Sequence, residues 1–315
     1  MPVMTRRNGL LAAQAIGTIV LLVVLFRNFD WTLFWAVMRR MSPAFFLLSL
    51  GAIAAGQVLY AIRWFVVLRG VGVTVTYGEA LRLYLVGLFF SNLMPTAIGG
   101  DAVKIFYLGR RAGYVEAGAS IFVDRFLGLL CLTILGASLA WIIGGSAPVL
   151  ILNRNLLTAF AAVFVVLVGA AWLVPIERQT GAVLSPRFGA WQSRIVDFVM
   201  LVRRGTCRPD ILVTAAIVVA SYALLIALIY RAHFAANGVA VGILPLLLVF
   251  ASMSIFVNIP LSLNGIGLRE QLHVVLFTAL GVPKELAVSI AVLLFAHALL
   301  ISLIGAAFWL QIKRT

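Results

Sequence analysis

Acidic residues are scarce in this sequence. Its 315 residues include 10 Asp and Glu against 24 Lys and Arg, and charged residues of both signs make up 11%. Soluble domains carry about 25% charged and about 45–50% apolar residues, whereas this chain is 63% hydrophobic with a mean hydropathy of +1.13. These proportions exclude a water-soluble fold and predict an all-α, polytopic integral membrane protein.

Cysteine and histidine are also rare. Cys131 lies in an apolar run and Cys207 in a basic loop, which provides neither a disulfide framework nor a metal cage. Glu270 and His273 have the i, i+3 spacing of carboxylate metal sites, but such sites need a second equivalent set, which the first broken segment lacks. No HExxH helix, nucleophile elbow or P-loop occurs. We therefore expect no metal, no cofactor, no catalytic residue and no ATP hydrolysis.

The formal net charge of +14 indicates an anionic partner. The basic residues punctuate apolar stretches and form no stripe with interleaved aromatic residues, which is the pattern of nucleic-acid binding. Anionic lipid at the cytoplasmic face is therefore the expected partner, and nucleic acid is not.

Six apolar runs are long enough to cross about 30 Å of hydrocarbon. They cover residues 10–26, 44–62, 120–143, 149–174, 211–230 and 286–311. The first follows two arginines, as the apolar core of a signal peptide does, but no small-residue cleavage site follows it. We interpret it as a retained span.

The distribution of Lys and Arg predicts the orientation. With six crossings, the main basic clusters fall on one side, and cytoplasmic loops carry such an excess. The pair Arg39 and Arg40, between the first two spans, is the exception on the outer face. This predicts a multi-pass protein of a bacterial cytoplasmic (inner) membrane with both termini in the cytoplasm.

Residues 175–210 predict an amphipathic linker, since apolar residues recur there at spacings of three and four. One interpretation is a helix lying on the cytoplasmic leaflet, with its arginines contacting lipid. The other is a connector packed on the helix bundle, and the sequence leaves both open.

Two further apolar segments, 83–107 and 243–277, are interrupted by Pro and Gly. Both read Pro, four residues, Gly, three residues, cation, at an offset of 165: Pro95, Gly100 and Lys104, then Pro260, Gly265 and Arg269. Each lies in a unit of span, broken segment and span, over 44–143 and 211–311. Three crossings separate equivalent points, so we expect the second unit to be inverted relative to the first. Chance clustering of Pro and Gly is the alternative.

The breaks predict a polar cavity near the midplane. Backbone freed inside lipid must be buried in protein or line a cavity, and two facing re-entrant hairpins would provide this. Each break resumes as a helix whose N-terminus, beside Lys104 or Arg269, suits a phosphate group. A cation near the midplane costs roughly 2.5–3.5 kcal/mol, which favours a ligand role for both.

The acidic residues have competing interpretations. For Asp101 and Glu270 we favour helix capping and pairing with neighbouring cations over ligand binding. Asp124 and Arg125 are adjacent in the chain and are expected to bond other helices rather than each other. Asp124 then has three possible roles: neutralising Lys104 or Arg269 in the absence of lipid, carrying a coupling proton, or pairing structurally.

The predicted substrate-binding residues therefore form three groups. They are Asn92, Pro95, Gly99, Gly100, Asp101 and Lys104 at the first break, Asn258, Pro260, Asn264, Gly265, Gly267, Arg269 and Glu270 at the second, and Asp124 with Arg125 between them.

The residues 87–104, 124–128 and 259–270 resemble the lysylphosphatidylglycerol synthase transmembrane family, also called flippase-like or UPF0104 membrane proteins. The resemblance covers nearly the whole chain. In the multiple-peptide-resistance members, the corresponding module moves aminoacylated phosphatidylglycerol between leaflets, and a separate soluble domain makes that lipid.

The resemblance implies a single flippase-like domain over residues 1–315, without the soluble domain, that moves a phospholipid or a lipid-linked headgroup. Stand-alone members are linked to hopanoid or glycolipid metabolism, so the substrate is not implied. Position 104 is Lys, whereas Arg is expected there in many relatives. Lys keeps the positive charge but cannot make the bidentate contact with phosphate that a guanidinium makes. The alternatives are an enzyme acting on a lipid-linked substrate and a non-catalytic membrane scaffold.

Overall fold

The computed structural model describes residues 2–27, 29–94, 98–173, 189–259 and 261–312, and no strand occurs among them. The α-helices are α1 (Pro2–Phe26), α2 (Trp31–Arg40), α3 (Pro43–Gly70), α4 (Tyr77–Leu93), α5 (Ile98–Ala112), α6 (Tyr114–Ile143), α7 (Pro148–Leu173), α8 (Gly189–Thr206), α9 (Pro209–Ala236), α10 (Ile243–Phe256), α11 (Leu268–Thr278) and α12 (Lys284–Ile312). A short 3₁₀ turn, Leu263–Gly265, lies between α10 and α11. The all-α membrane fold class is confirmed.

Five described helices, α3, α6, α7, α9 and α12, are long and apolar enough to cross a membrane. They correspond to the second to sixth predicted spans. The predicted first span differs, because the described part of α1 qualifies only together with α2, at an 89° bend. The Asp30 carboxylate accepts hydrogen bonds from the backbone N–H groups of Thr32 and Leu33, which caps α2 and starts it in a new direction.

Local signals explain where α3 and α4 begin. Ser42 caps α3, with Pro43 at the first helical position. Thr76 and Glu79 form a capping box at the start of α4. α4 has only 17 residues and α10 only 14, so each ends before the length of a full crossing.

A long–short–short–long order of helices occurs twice, in α3–α6 and in α9–α12. The two sets interlock: α3 packs on α9, α4 packs on α12, and α10 packs on α6. The last long helix of each set therefore contacts the first short helix of the other.

Two glycines allow these cross-contacts. Gly305 of α12 lies against α4, where an added Cβ would overlap the carbonyl oxygen of Leu85. Gly136 of α6 lies against α10, where a Cβ would meet the Cβ of Ala251 at 3.2 Å. Both glycines lie seven residues before the end of their helix, and both contacted residues lie eight residues after the start of theirs. The two interfaces thus match position for position.

The predicted linker contains α8, whereas residues 174–188 lie outside the described part of the chain. α8 packs mainly on α6, where Phe198 meets Phe122 at a ring-centroid distance of 5.8 Å. The described part of α8 thus packs on the bundle as a connector does, while Ile195 and Val199 remain exposed.

We expect Gly305→Ala to destabilise the protein by about 1–3 kcal/mol, because the new methyl group meets backbone rather than a movable side chain. Gly51→Ala is the matched control: it changes a glycine in α3 that has open space around it, and it should stabilise by about 0.5–1 kcal/mol. Thermal melting in detergent measures both. Equal melting temperatures for the two variants would contradict the close α4–α12 contact.

Candidate functional site

A buried ion pair joins α3 to α6. The guanidinium of Arg63 donates to both carboxylate oxygens of Asp124, from Nε to Oδ1 at 2.7 Å and from Nη2 to Oδ2 at 3.0 Å. Both side chains are 8% exposed. This geometry is the bidentate fork that guanidinium and carboxylate groups form best. Asp124 therefore pairs with Arg63, and not with Lys104 or Arg269.

A second carboxylate is shared by two cations. Asp101 Oδ1 lies 2.7 Å from Lys104 Nζ, and its Oδ2 lies 2.9 Å from Arg125 Nε. The first contact lies within α5, and the second joins α5 to α6. Asp101 thus takes the pairing role favoured above, and the neighbours Asp124 and Arg125 each bond a different helix, as expected.

Aromatic rings surround the buried cations. Lys104 Nζ lies 5.2 Å from the ring of Trp64 and 5.5 Å from that of Tyr84, and Arg63 Cζ lies 4.9 Å from the ring of Tyr60. Ring faces attract cations, so these walls stabilise charge without adding a carboxylate.

These groups enclose a cavity of 220 Å³, called here the first cavity. Its lining combines charged, polar and apolar groups from α3, α4, α5, α6, α10 and the turn after α10, including Tyr60, Arg63, Tyr84, Ser91, Lys104, Asp124, Arg125, Ser254 and Asn258. An added Cβ at Gly128 would lie 2.7 Å from Arg63 Nη1, so glycine there leaves room for the guanidinium.

Arg269 lies on a second cavity of 170 Å³, lined mainly by apolar groups together with Gln57, Tyr222, Tyr230, Ser254 and His273. Its Nη2 contacts the carbonyl oxygen of Asn264 at 3.4 Å, and its Cζ lies 4.8 Å from the ring of Phe295. Among the described residues, no carboxylate lies within ion-pair distance of Arg269. The His273 ring nitrogens face the Tyr230 hydroxyl at 3.0 Å and the Arg269 carbonyl at 2.8 Å.

The expectation of one shared pocket is therefore corrected: Lys104 and Arg269 line two neighbouring cavities. Ser254 belongs to both. Tyr60 lines the first cavity and Tyr222 the second, and their rings meet edge to face at a centroid distance of 4.8 Å. These rings, from α3 and α9, are thus in contact where the two cavities neighbour each other. We call Tyr60, Tyr222 and Ser254 the septum.

The two breaks contact each other through asparagines. Asn264 Nδ2 donates to the carbonyl oxygen of Asn92 at 3.4 Å, and Asn92 Nδ2 donates to that of Ala298 at 3.4 Å. Asn258 lines the first cavity and donates to the carbonyl oxygen of Ser254 at 2.6 Å. Pro95 and Pro260 lie outside the described residues.

Glycines shape both helix starts. Gly99 and Gly100 are buried in the first turn of α5, where an added Cβ at Gly100 would overlap the carbonyl oxygen of Gly87 in α4. At the second break, Gly265 and Gly267 have φ of 75° and 80°, which L side chains rarely adopt.

Glu270 accepts a hydrogen bond from the Gly267 N–H at 2.7 Å and so caps α11. This is the capping role that we favoured for this residue.

Sequence reasoning missed the part that α1 takes in the second break. The Thr18 hydroxyl oxygen accepts a hydrogen bond from the Leu263 N–H at 2.9 Å, and Gln271 Nε2 donates to the carbonyl oxygen of Leu21 at 3.0 Å. The only sequence signal was the presence of polar residues in apolar helices. Arg63 was visible in this way, but its pairing with Asp124, across the chain, was not.

We expect Arg63→Gln and Asp124→Asn each to destabilise the protein by about 3–5 kcal/mol, since each leaves an unpaired buried charge. The double variant should lose less than the sum of the two, because it buries no charge. Thermal or denaturant unfolding in detergent completes this double-mutant cycle. Additive losses would contradict a direct pair.

A family model described as "Lysylphosphatidylglycerol synthase TM region" matches residues 10–305 of this chain. A UPF0104 membrane protein of Pyrococcus horikoshii is 25% identical over 309 residues, covering 88% of each chain. Two UPF0104 membrane proteins of Methanothermobacter thermautotrophicus are 26% and 24% identical, covering 81% and 91% of this chain and 81% and 88% of theirs. No solved structure matches significantly.

Proposed function

The chain belongs to the lysylphosphatidylglycerol synthase transmembrane-region family, and we propose that it is a translocase that moves a phospholipid or a lipid-linked headgroup between leaflets. The observation that carries this proposal is the first cavity. It holds Arg63, Lys104, Asp124 and Arg125 inside a bundle whose long helices are apolar.

Charged groups inside a membrane bundle are costly and are typical of substrate pathways. A purely structural polar cluster has no need of a cavity, whereas a headgroup needs both charge and space. Arg125 is the cation most available to a phosphate here, since Arg63 is held by both oxygens of Asp124 and Lys104 is buried against Asp101.

We further propose that α3–α6 and α9–α12 are inverted repeats whose broken helices are re-entrant. The reciprocal packing of α4 on α12 and of α10 on α6 supports this, as do the matched positions of Gly136 and Gly305. Transporters built in this way bind substrate between the repeats.

The headgroup route in this proposal runs through both cavities. Arg269, which has no carboxylate within ion-pair distance among the described residues, provides an anion site in the second cavity. The septum separates this site from Lys104 and Arg125, so movement between the two requires Tyr60 and Tyr222 to part. The acyl chains stay in the lipid beside the bundle.

The proposed setting is a bacterial cytoplasmic membrane with both termini in the cytoplasm. In this orientation the excess of Lys and Arg faces the anionic lipid of the cytoplasmic leaflet, which attracts it. The three acids at the breaks and the first cavity do not favour the enzyme alternative. Asp101 and Asp124 are held in ion pairs, and Glu270 caps a helix, so none is placed as a free general base.

We expect Arg269→Ala to reduce lipid translocation in reconstituted vesicles at least tenfold, because it removes the cation of the second cavity. A loss of about 1.4 kcal/mol in binding free energy corresponds to a factor of ten. The assay measures the loss of fluorescence when an impermeant reductant reduces the labelled phospholipid that it can reach. Arg231→Ala is the matched control, since Arg231 is exposed on α9 and lines neither cavity.

Translocation by Arg269→Ala at the rate of the unchanged protein would remove the second cavity from the mechanism. Absence of translocation by the unchanged protein, together with product formation from a lipid-linked substrate in detergent, would replace the translocase proposal by the enzyme alternative.

A further inference from the structure

The charges at the first cavity do not balance. Three cations, Arg63, Lys104 and Arg125, meet two carboxylates, Asp101 and Asp124. Among the residues that the structure describes, the charged side chains that line this cavity are Arg63, Lys104, Asp124 and Arg125, and Asp101 contacts two of them from beside the cavity. The cluster therefore carries one positive charge more than its acids can neutralise.

Arg125 is the cation that remains available. Its side chain is 47% exposed, against 8% for Arg63 and for Lys104. It binds Asp101 through Nε, so the acid that it contacts is also committed to Lys104. Arg125 faces the cavity as the accessible edge of an otherwise buried network.

We infer that the first cavity selects a lipid headgroup with one net negative charge, namely a phosphodiester without an amine, and discriminates against headgroups of zero or positive net charge. This inference rests on the proposed function and names the substrate class of the same site.

Charge matching in a poorly solvated site is the physical reason. A phosphodiester brings one negative charge, which leaves the occupied cluster neutral. A zwitterionic headgroup adds an amine beside Lys104 and Arg125 and leaves the excess positive charge in place. A phosphomonoester carries about −1.5 to −2 at pH 7 and overshoots the balance.

The size of the cavity agrees with a headgroup. Its 220 Å³ is below the range of about 300–1,000 Å³ found for sites that enclose a whole drug-sized ligand. A phosphate and a small polar alcohol fit, and acyl chains do not. Selection therefore acts on the headgroup alone.

The test measures lipid binding to the full chain in detergent by native mass spectrometry. Phosphatidylglycerol, phosphatidylcholine and phosphatidic acid with identical acyl chains compete at equal concentration. We expect phosphatidylglycerol to bind about tenfold more tightly than phosphatidylcholine, the factor that corresponds to one poorly matched charge at the edge of the network.

Variants locate the selection. Arg125→Gln should bring the ratio of the two lipids to within about twofold, because it removes the excess charge. Arg125→Lys should retain most of the preference. Arg110→Gln is the matched control: it removes an exposed arginine of α5 that contacts Phe106 outside the cavity, and the ratio should not change.

Equal binding of phosphatidylglycerol and phosphatidylcholine to the unchanged protein would overturn the inference, as would a preference that survives in Arg125→Gln. Binding is measured separately from movement across vesicles. Preferential binding of phosphatidylglycerol without movement of any lipid would support the charge selection and contradict the proposed translocase. Equal movement of both lipids would support the translocase and contradict the charge selection.

Discussion

The interior of this protein depends on two buried carboxylates. Asp124 binds the guanidinium of Arg63, and Asp101 joins Lys104 to Arg125. Without them, the buried cations Arg63 and Lys104 would lie unpaired inside a bundle of apolar helices, at a cost of several kcal/mol each. The pairs also tie α3 and α5 to α6 around one cavity. The same contacts that make the charges tolerable therefore hold the cavity in shape.

Broken helices impose a second requirement, because their free backbone groups need partners away from water. At the second break, Thr18 of α1 binds the chain between α10 and α11, and Gln271 of α11 binds α1. Asn264 and Asn92 then connect this break to the first. The polar contacts of one broken segment thus come from other parts of the molecule, which explains how so apolar a sequence includes interrupted helices.

Much of this fold is predictable from hydropathy and from Pro and Gly, because the length of an apolar run and a helix break are local properties. The bend after α1 has a local signal, the N-cap residue Asp30. The apolar run before it is long enough for a full span, however, so the sequence alone does not predict the bend. The Arg63–Asp124 pair joins residues 61 apart, and sequence order does not specify such a partner. The contact between the rings of Tyr60 and Tyr222 beside the two cavities is likewise decided by tertiary packing.

The reciprocal contacts of the two helix sets have a consequence for biosynthesis. α4 is too short to cross the bilayer alone, and its main partner besides α5 is α12, the last helix that the structure describes. α6 likewise gains α10 only after α7, α8 and α9 have been made. The N-terminal half therefore enters the membrane incomplete and must wait there for its counterpart. A chain released before α12 is made would leave α4 in the lipid without that partner, an exposed interface that membrane quality control could recognise.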